Sequence, residues 1–222
     1  SAAGVQPILG CQIDLAYAPV PLGGRKPPPA PIVLLAQSET GYENLLKLNS
    51  CLYLKADGEL PQVSLEDLKR FHKDLICLTG GADGPVGCLL RAGQAPAAEA
   101  LMQQFSEIYG DRLYVELQRH PGETGLPEAE RLTEAGFIEF AYRMDLPLVA
   151  TNDVYFPKSD MYEAHDALIC IAEGAYVDQQ APRRRLSAQH YFKTPQEMVT
   201  LFADLPEAVA NTLEIARRCA FM

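Results

Sequence analysis

Short apolar runs recur along this chain, separated by longer segments whose apolar residues repeat every three or four positions. The runs are Ile32–Ala36 (IVLLA), Asp74–Thr79 (DLICLT), Arg112–Gln118 (RLYVELQ) and the stretch LPLVATND ending at Asp153. A run of that length bounded by turn residues reads as a strand covered on both faces. Strands alternating with helices read as parallel βαβ units. No glycine-rich dinucleotide fingerprint accompanies them, so the pattern favours a barrel-like (β/α) layer over a dinucleotide-binding sheet.

Local signals place the elements between these strands. A further strand is expected from about Pro7 to Tyr17, after a helix end and a turn at Gly4. The segment Pro19–Pro31 is too rich in proline and glycine for helix or strand. Thr40 with Glu43, Ser64 with Asp67, and Thr194-Pro195-Gln196-Glu197 each read as a helix start. Another helix is expected from Asp204, with Glu207 three residues on and Leu205, Val209, Leu213, Ala216 and Cys219 near one face. Gly110 stops the helix AEALMQQFSEIY. In PEAERLTEAGFIEFAYRMD, the spacing of Leu132, Ala135, Ile138 and Tyr142 predicts one buried stripe.

Composition narrows the function classes. Hydrophobic residues make up 48% and charged residues 22% of 222 residues, ordinary for a globular domain. A net charge of −10 argues against holding nucleic acid through the overall field. No apolar run is long enough to span a membrane, and the start has no signal-peptide pattern, so the expected residence is cytoplasmic. The six cysteines form no C-x-x-C pair and sit mostly among apolar neighbours, as reduced thiols do. Arg183-Arg184-Arg185 is the one basic cluster, either a solvated loop or a contact for phosphate or a partner.

Candidate chemistry is sparse. GGADGPVG (80–87) lacks the spacing of a phosphate-cradling loop and reads as a strand-to-helix turn. His72 is expected to face solvent and His190 to be structural. His165-Asp166 reads as helix surface or as a cap for a neighbouring loop. His120 and Asp153 each lie just past a strand end, where both could approach one ion, but a metal needs three or four donors. No nucleophile elbow is present.

The blocks VQPILGCQIDLAY, IVLLAQSETGYENLLKL, LICLTGGADGPVGCLL, GDRLYVELQRH, LPLVATNDVYF, DMYEAHDALICIAEG and YFKTPQEMVTLFADLPEAVANTLEIARRC occur in this order. Together they resemble the polymerase-and-histidinol-phosphatase (PHP) domain of the alpha subunit of bacterial replicative DNA polymerase III, a C-family polymerase. The resemblance implies a distorted, TIM-barrel-like (β/α) barrel, seven-stranded in the full domain. Its first units would lie upstream of Ser1 and the polymerase aspartates far downstream. Residues 1–222 then form one partial PHP domain, with 195–222 a helical segment leading toward the polymerase core.

Metal-binding members of the family carry ligands at strand ends, and the resemblance identifies the matching positions here. Gln12 stands where they have a Glu and Pro31 where they have a His. Gly81 stands where many have a Cys. Asp153 is kept from an Asp-x-His pair, with Tyr155 at the His position. His120 completes the set of vestigial positions. The resemblance thus implies no catalytic residue, metal or cofactor in this chain, which by itself is not expected to be an enzyme. It also implies a docking role for the proofreading exonuclease subunit and other replicase subunits, with DNA met through the parent polymerase. One alternative keeps a metal-dependent phosphoesterase or 3′–5′ exonuclease through His120 and Asp153. Another is a stand-alone binding or structural protein on the same fold. An open barrel would further expose strand edges and favour self-association.

Overall fold

A computed structural model describes residues 4–17, 27–54, 60–122 and 125–221. The expected helix end before Gly4 and most of the proline-rich loop lie outside these residues. Five strands, β1 (Gly10–Leu15), β2 (Ala30–Ala36), β3 (Leu75–Leu78), β4 (Leu113–Gln118) and β5 (Leu148–Thr151), form one sheet in that order. The helices are α1 (Glu39–Leu54), α2 (Leu65–Phe71), α3 (Pro85–Arg91), α4 (Ala95–Tyr109), α5 (Glu128–Arg143), α6 (Tyr162–Glu173), α7 (Pro195–Leu201) and α8 (Pro206–Arg218).

The mixed α/β class stands, with two corrections. The described strands form an open sheet with β1 and β5 at its edges, not a closed barrel. Only β3, β4 and β5 run parallel, whereas β2 is antiparallel to both β1 and β3. An apolar run reports burial, and burial is the same whichever way the neighbouring strand points.

Burial in β2 explains why its sequence is continuously apolar. Ala30, Ile32, Leu34 and Ala36 are buried on one face, the last three in the main core with residues of α1, α3, α4 and α5. Val33 and Leu35 point the other way, into a smaller cluster with Ile76, Leu78, Tyr114 and Val149. Ile215 and Cys219, at the end of α8, close that second face.

Two of the helix starts form as read, with complete capping boxes at Ser64–Asp67 and Thr194–Glu197. The other two differ. α1 begins at Glu39, so Thr40 is already helical. Ser38 does the capping instead: its Oγ accepts from the Gly41 amide at 3.2 Å and donates to Asp74 at 2.8 Å. α8 begins at Pro206, and the Asp204 carboxylate is drawn away to Arg119. Leu205 and Cys219 are buried as expected, but Leu213 is exposed.

In α5 the buried stripe is rotated from the expected one. Leu132 (48% exposed) and Tyr142 (63%) face solvent, while Thr133, Phe137, Phe140 and Ala141 face the core. Two stripes in this helix have the same period, and periodicity alone cannot choose between them. The choice places Glu130 inward, beside His120.

Candidate functional site

The parallel strands β4 and β5 end side by side, Gln118 opposite Thr151 in register. Each chain continues past its strand end into polar residues, Arg119-His120 after β4 and Asn152-Asp153 after β5. The rim expected from the sequence therefore exists, because parallel pairing puts both carboxyl ends on one side.

His120 is 2% exposed and tightly held. Its backbone amide donates to Glu130 Oε2 at 2.9 Å, and its Nδ1 lies 2.6 Å from Oε1 of the same carboxylate. That contact fixes the orientation of the ring and turns Nε2 away from Glu130. Nε2 is buried with no hydrogen-bond partner among the described residues. Arg119, one residue earlier, turns the opposite way. It forks onto Glu134 at 2.8–2.9 Å and Asp204 at 2.6–2.8 Å, donates to the Leu201 carbonyl, and lies over the Phe202 ring.

His120 opens into a cavity of about 440 Å³, which Asp153, Tyr155, Gln118, Arg184, Arg185 and His190 also line. The imidazole of His190 stacks on that of His120, with centroids 4.0 Å apart and planes within 4°. Arg184 donates to the Tyr155 hydroxyl at 3.4 Å and lies over its ring. Burial raises the Asp153 carboxyl above its ordinary range, with the nearby His120 and a hydrogen bond from Tyr155 pulling the other way. Burial and the Asp153 charge together raise the Tyr155 phenol. Burial, then the neighbouring His120, push His190 down to about 4.

Of the six positions that the resemblance singles out, the fold brings His120, Asp153 and Tyr155 into this cavity. Gly81 adjoins it through Gln118, whose side-chain oxygen lies 2.8 Å from where a Cβ at residue 81 would sit. Gln12 and Pro31 lie farther along the sheet, in β1 and β2, and do not line the cavity. Gln12 is exposed opposite Val33, and Pro31 lies opposite Asp14 with its carbonyl against Gly80.

A divalent metal would place a definite demand on the donors of this rim. Such an ion needs several anionic or imidazole donors converging at bonding distance. Among the described residues no group of three or more His, Cys, Asp or Glu is so arranged. An amide at 12, a proline at 31, a glycine at 81 and a phenol at 155 supply neither charge nor imidazole at neutral pH.

Several residues of the site carried little sequence signal. Glu130 and His190 reach His120 only through the fold. Glu116, 3% exposed, was visible as a lone charge within the apolar strand RLYVELQ. Its carboxylate accepts from the Gly80 amide at 2.9 Å, from Thr151 Oγ1 and from Gln118 Nε2 at 3.3 Å, tying together the ends of three strands. Burial raises its pKa against those three donors.

The remaining expectations resolve one by one. Residues 80–87 form the turn into α3, with Gly80 and Gly81 both at positive φ. His72 is half-buried rather than solvent-facing, held by Arg112 and packed edge-on to Tyr109. His165 packs against Tyr155 and Phe156, and its neighbour Asp166 does cap a loop, through Arg183. The arginine cluster is split. Arg183 is buried on Asp166, while Arg184 and Arg185 line the cavity. The six cysteines are free thiols.

Comparison with known proteins agrees with this architecture. The PHP domain family model matches residues 1–120. The DNA polymerase III subunit alpha of Caulobacter vibrioides is 49% identical over 225 residues, covering 99% of this chain and 19% of the relative. Those of Rickettsia bellii and Pseudomonas aeruginosa are 40% and 38% identical, each over 98% of this chain and 18% of the relative. The chain thus spans about a fifth of the length of the curated relatives it matches. With a family match over more than half its residues, the chain belongs to the PHP domain family.

Proposed function

We propose that this chain is the PHP domain portion of a replicative DNA polymerase alpha subunit and works there as a metal-free structural and docking domain. Its partner in this reading is the proofreading exonuclease subunit, alongside other replicase subunits in the cytoplasm. DNA synthesis belongs to the parent polypeptide. The observation that carries the reading is the composition of the rim. His120 and Asp153 remain, but Gln12, Pro31, Gly81 and Tyr155 occupy the positions where metal-binding members have ligands. An ion there would not recover its lost hydration. Proofreading supplied by a separate subunit fits the loss of an intrinsic nuclease.

One observation favours a second reading, a metal-dependent phosphoesterase or 3′–5′ exonuclease. His120 is oriented by Glu130 in the manner of a ligating imidazole, with its Nε2 free. Metal analysis and a 3′-end nucleotide-release assay on the full-length polypeptide separate the two. The docking reading expects no stoichiometric manganese or zinc and no metal-stimulated release. Tight stoichiometric metal, with release abolished by Asp153→Asn, would overturn it. Partnership is tested by co-sedimentation of the full-length polypeptide with the exonuclease subunit, and failure to co-migrate at micromolar concentration removes that part. The isolated chain, whose β1 edge is bridged by Val63 at its end near Leu15, is expected to self-associate through the rest of that edge. A strictly monomeric sedimentation profile would count against that.

A further inference from the structure

The wall of the cavity opposite the strand ends comes from one stretch of chain without helix or strand, residues 177–191. This stretch follows α6 and supplies Arg184, Arg185, Ser187 and His190 to the lining. Its far end is stitched beside the chain leaving β5. The Tyr155 amide donates to the His190 carbonyl at 2.9 Å, and Asn152 Nδ2 donates to the Tyr191 carbonyl at 2.7 Å.

Its middle is held by Arg184 against Tyr155 and, more tightly, by Arg183 reaching back to α6. Arg183 forks onto Asp166 with two bonds of 2.6 Å, and both side chains are withdrawn from solvent, at 4% and 7% exposure. The same guanidinium donates to the carbonyls of Val177 and Arg184, and Arg185 donates to Val177 as well. These bonds fold the strap's start against its middle, and Asp166 alone ties that folded unit to a helix. A planar fork on a carboxylate is the strongest such attachment a single pair can make, and it fixes orientation as well as distance.

We propose that residues 177–191 form a latched strap over the cavity, with the Arg183–Asp166 pair as the latch. Released, the strap swings Arg184 and Arg185 away and opens Asp153 and His120 to solutes. Access to the rim is then set from α6, by a residue that does not line the cavity. This inference holds whether or not the docking reading above is correct, because it concerns access to the site and not its chemistry.

Arginine labelling with phenylglyoxal, read by peptide mass spectrometry on the full-length polypeptide, tests it. Arg183 is expected to label about tenfold or more slowly than Arg185 in the wild type. In Asp166→Asn it is expected to approach the Arg185 rate. Arg119, buried against Glu134 and Asp204, should stay protected and so reports that the fold is intact. Arg183 remaining protected in Asp166→Asn would overturn the latch. A second measurement needs no variant. In sub-denaturing urea the wild-type Arg183 should become reactive with a weaker urea dependence than Arg119, since a strap exposes less surface than the whole domain. Equal dependences would show that the strap opens only with global unfolding, and the proposal would fail.

Discussion

The imidazoles of His120 and His190, 70 positions apart in sequence, lie face to face at 4.0 Å in planes within 4° of parallel. Glu130 holds one ring and Ser187 approaches Nδ1 of the other. Two cations cannot share that spacing in a half-dry cavity, and the pKa of about 4 for His190 reflects its burial and this neighbour.

The depressed pKa has a signed consequence. An unfolded histidine takes up its proton near pH 6.5, whereas native His190 does so near 4. Between those values the unfolded chain binds the extra proton, so stability falls as pH drops from about 6.5 to 4 and levels off below. Glu116 and Asp153, with raised pKa values, act in the opposite sense, losing their contribution as pH rises through their folded values. The comparison of wild type with His190→Gln isolates the histidine. Thermal melts from pH 7.5 to 4 should show a shallower acid decline in the variant, and parallel curves would refute the assignment.

Asp153 is expected to be dispensable. Burial disfavours its charge, so Asp153→Asn should leave stability at pH 7 within about 1 kcal/mol of wild type and, on the polymerase reading proposed above, leave DNA synthesis by the full-length polypeptide unchanged. Urea denaturation and a primer-extension assay check the two halves separately.

Glu116 is expected to matter far more, although it does not itself line the cavity of His120 and Asp153. Glu116→Leu strands the Gly80 amide, the Thr151 hydroxyl and one Gln118 donor without an acceptor. A loss of about 2–4 kcal/mol follows from leaving buried donors unpaired. Equilibrium urea unfolding measures it, and a loss below about 1 kcal/mol would show that those donors find other partners.

Gly80 tests the approach of β2 to the rim. At φ +84 a Cβ would lie 1.9 Å from the Pro31 carbonyl oxygen, so Gly80→Ala combines left-handed strain with a backbone clash. A cost of about 3 kcal/mol or more is expected. Gly93, at φ +69 with nothing within 4 Å of its Cβ position, supplies the control. Gly93→Ala should cost only about 1 kcal/mol, the conformational part alone. Similar losses at both positions would remove the steric argument.

What could be read ahead of the structure depended on the range of the interaction. Ser64 with Asp67 and Thr194 with Glu197 were readable because a capping box is complete within four residues. The rim at His120 and Asp153 was readable because each directly follows its own apolar strand. Strand direction was not, since β2 is buried on both faces and looks the same beside a parallel or an antiparallel neighbour. The inward face of α5 was also hidden. Glu130, Thr133 and Phe137 form one stripe and Leu132, Ala135 and Ile138 another, and it is the first that the fold turns to the core, with Glu130 meeting His120 just past β4. The arginine triplet reads as one feature, yet an ion pair to Asp166 separates its first member from the other two.

The Arg119 clamp makes the rim mechanically continuous with the last two helices. Its guanidinium grips Asp204 and the Leu201 carbonyl between α7 and α8, while its backbone lies next to that of His120. The Asn211 side chain adds a tie from α8 to the Leu148 carbonyl of β5. A pull or a twist applied to residues 195–218 therefore reaches the strand ends by two rigid routes, with few compliant joints to absorb it. Load on the last two helices would thus be borne by the residues that frame the cavity.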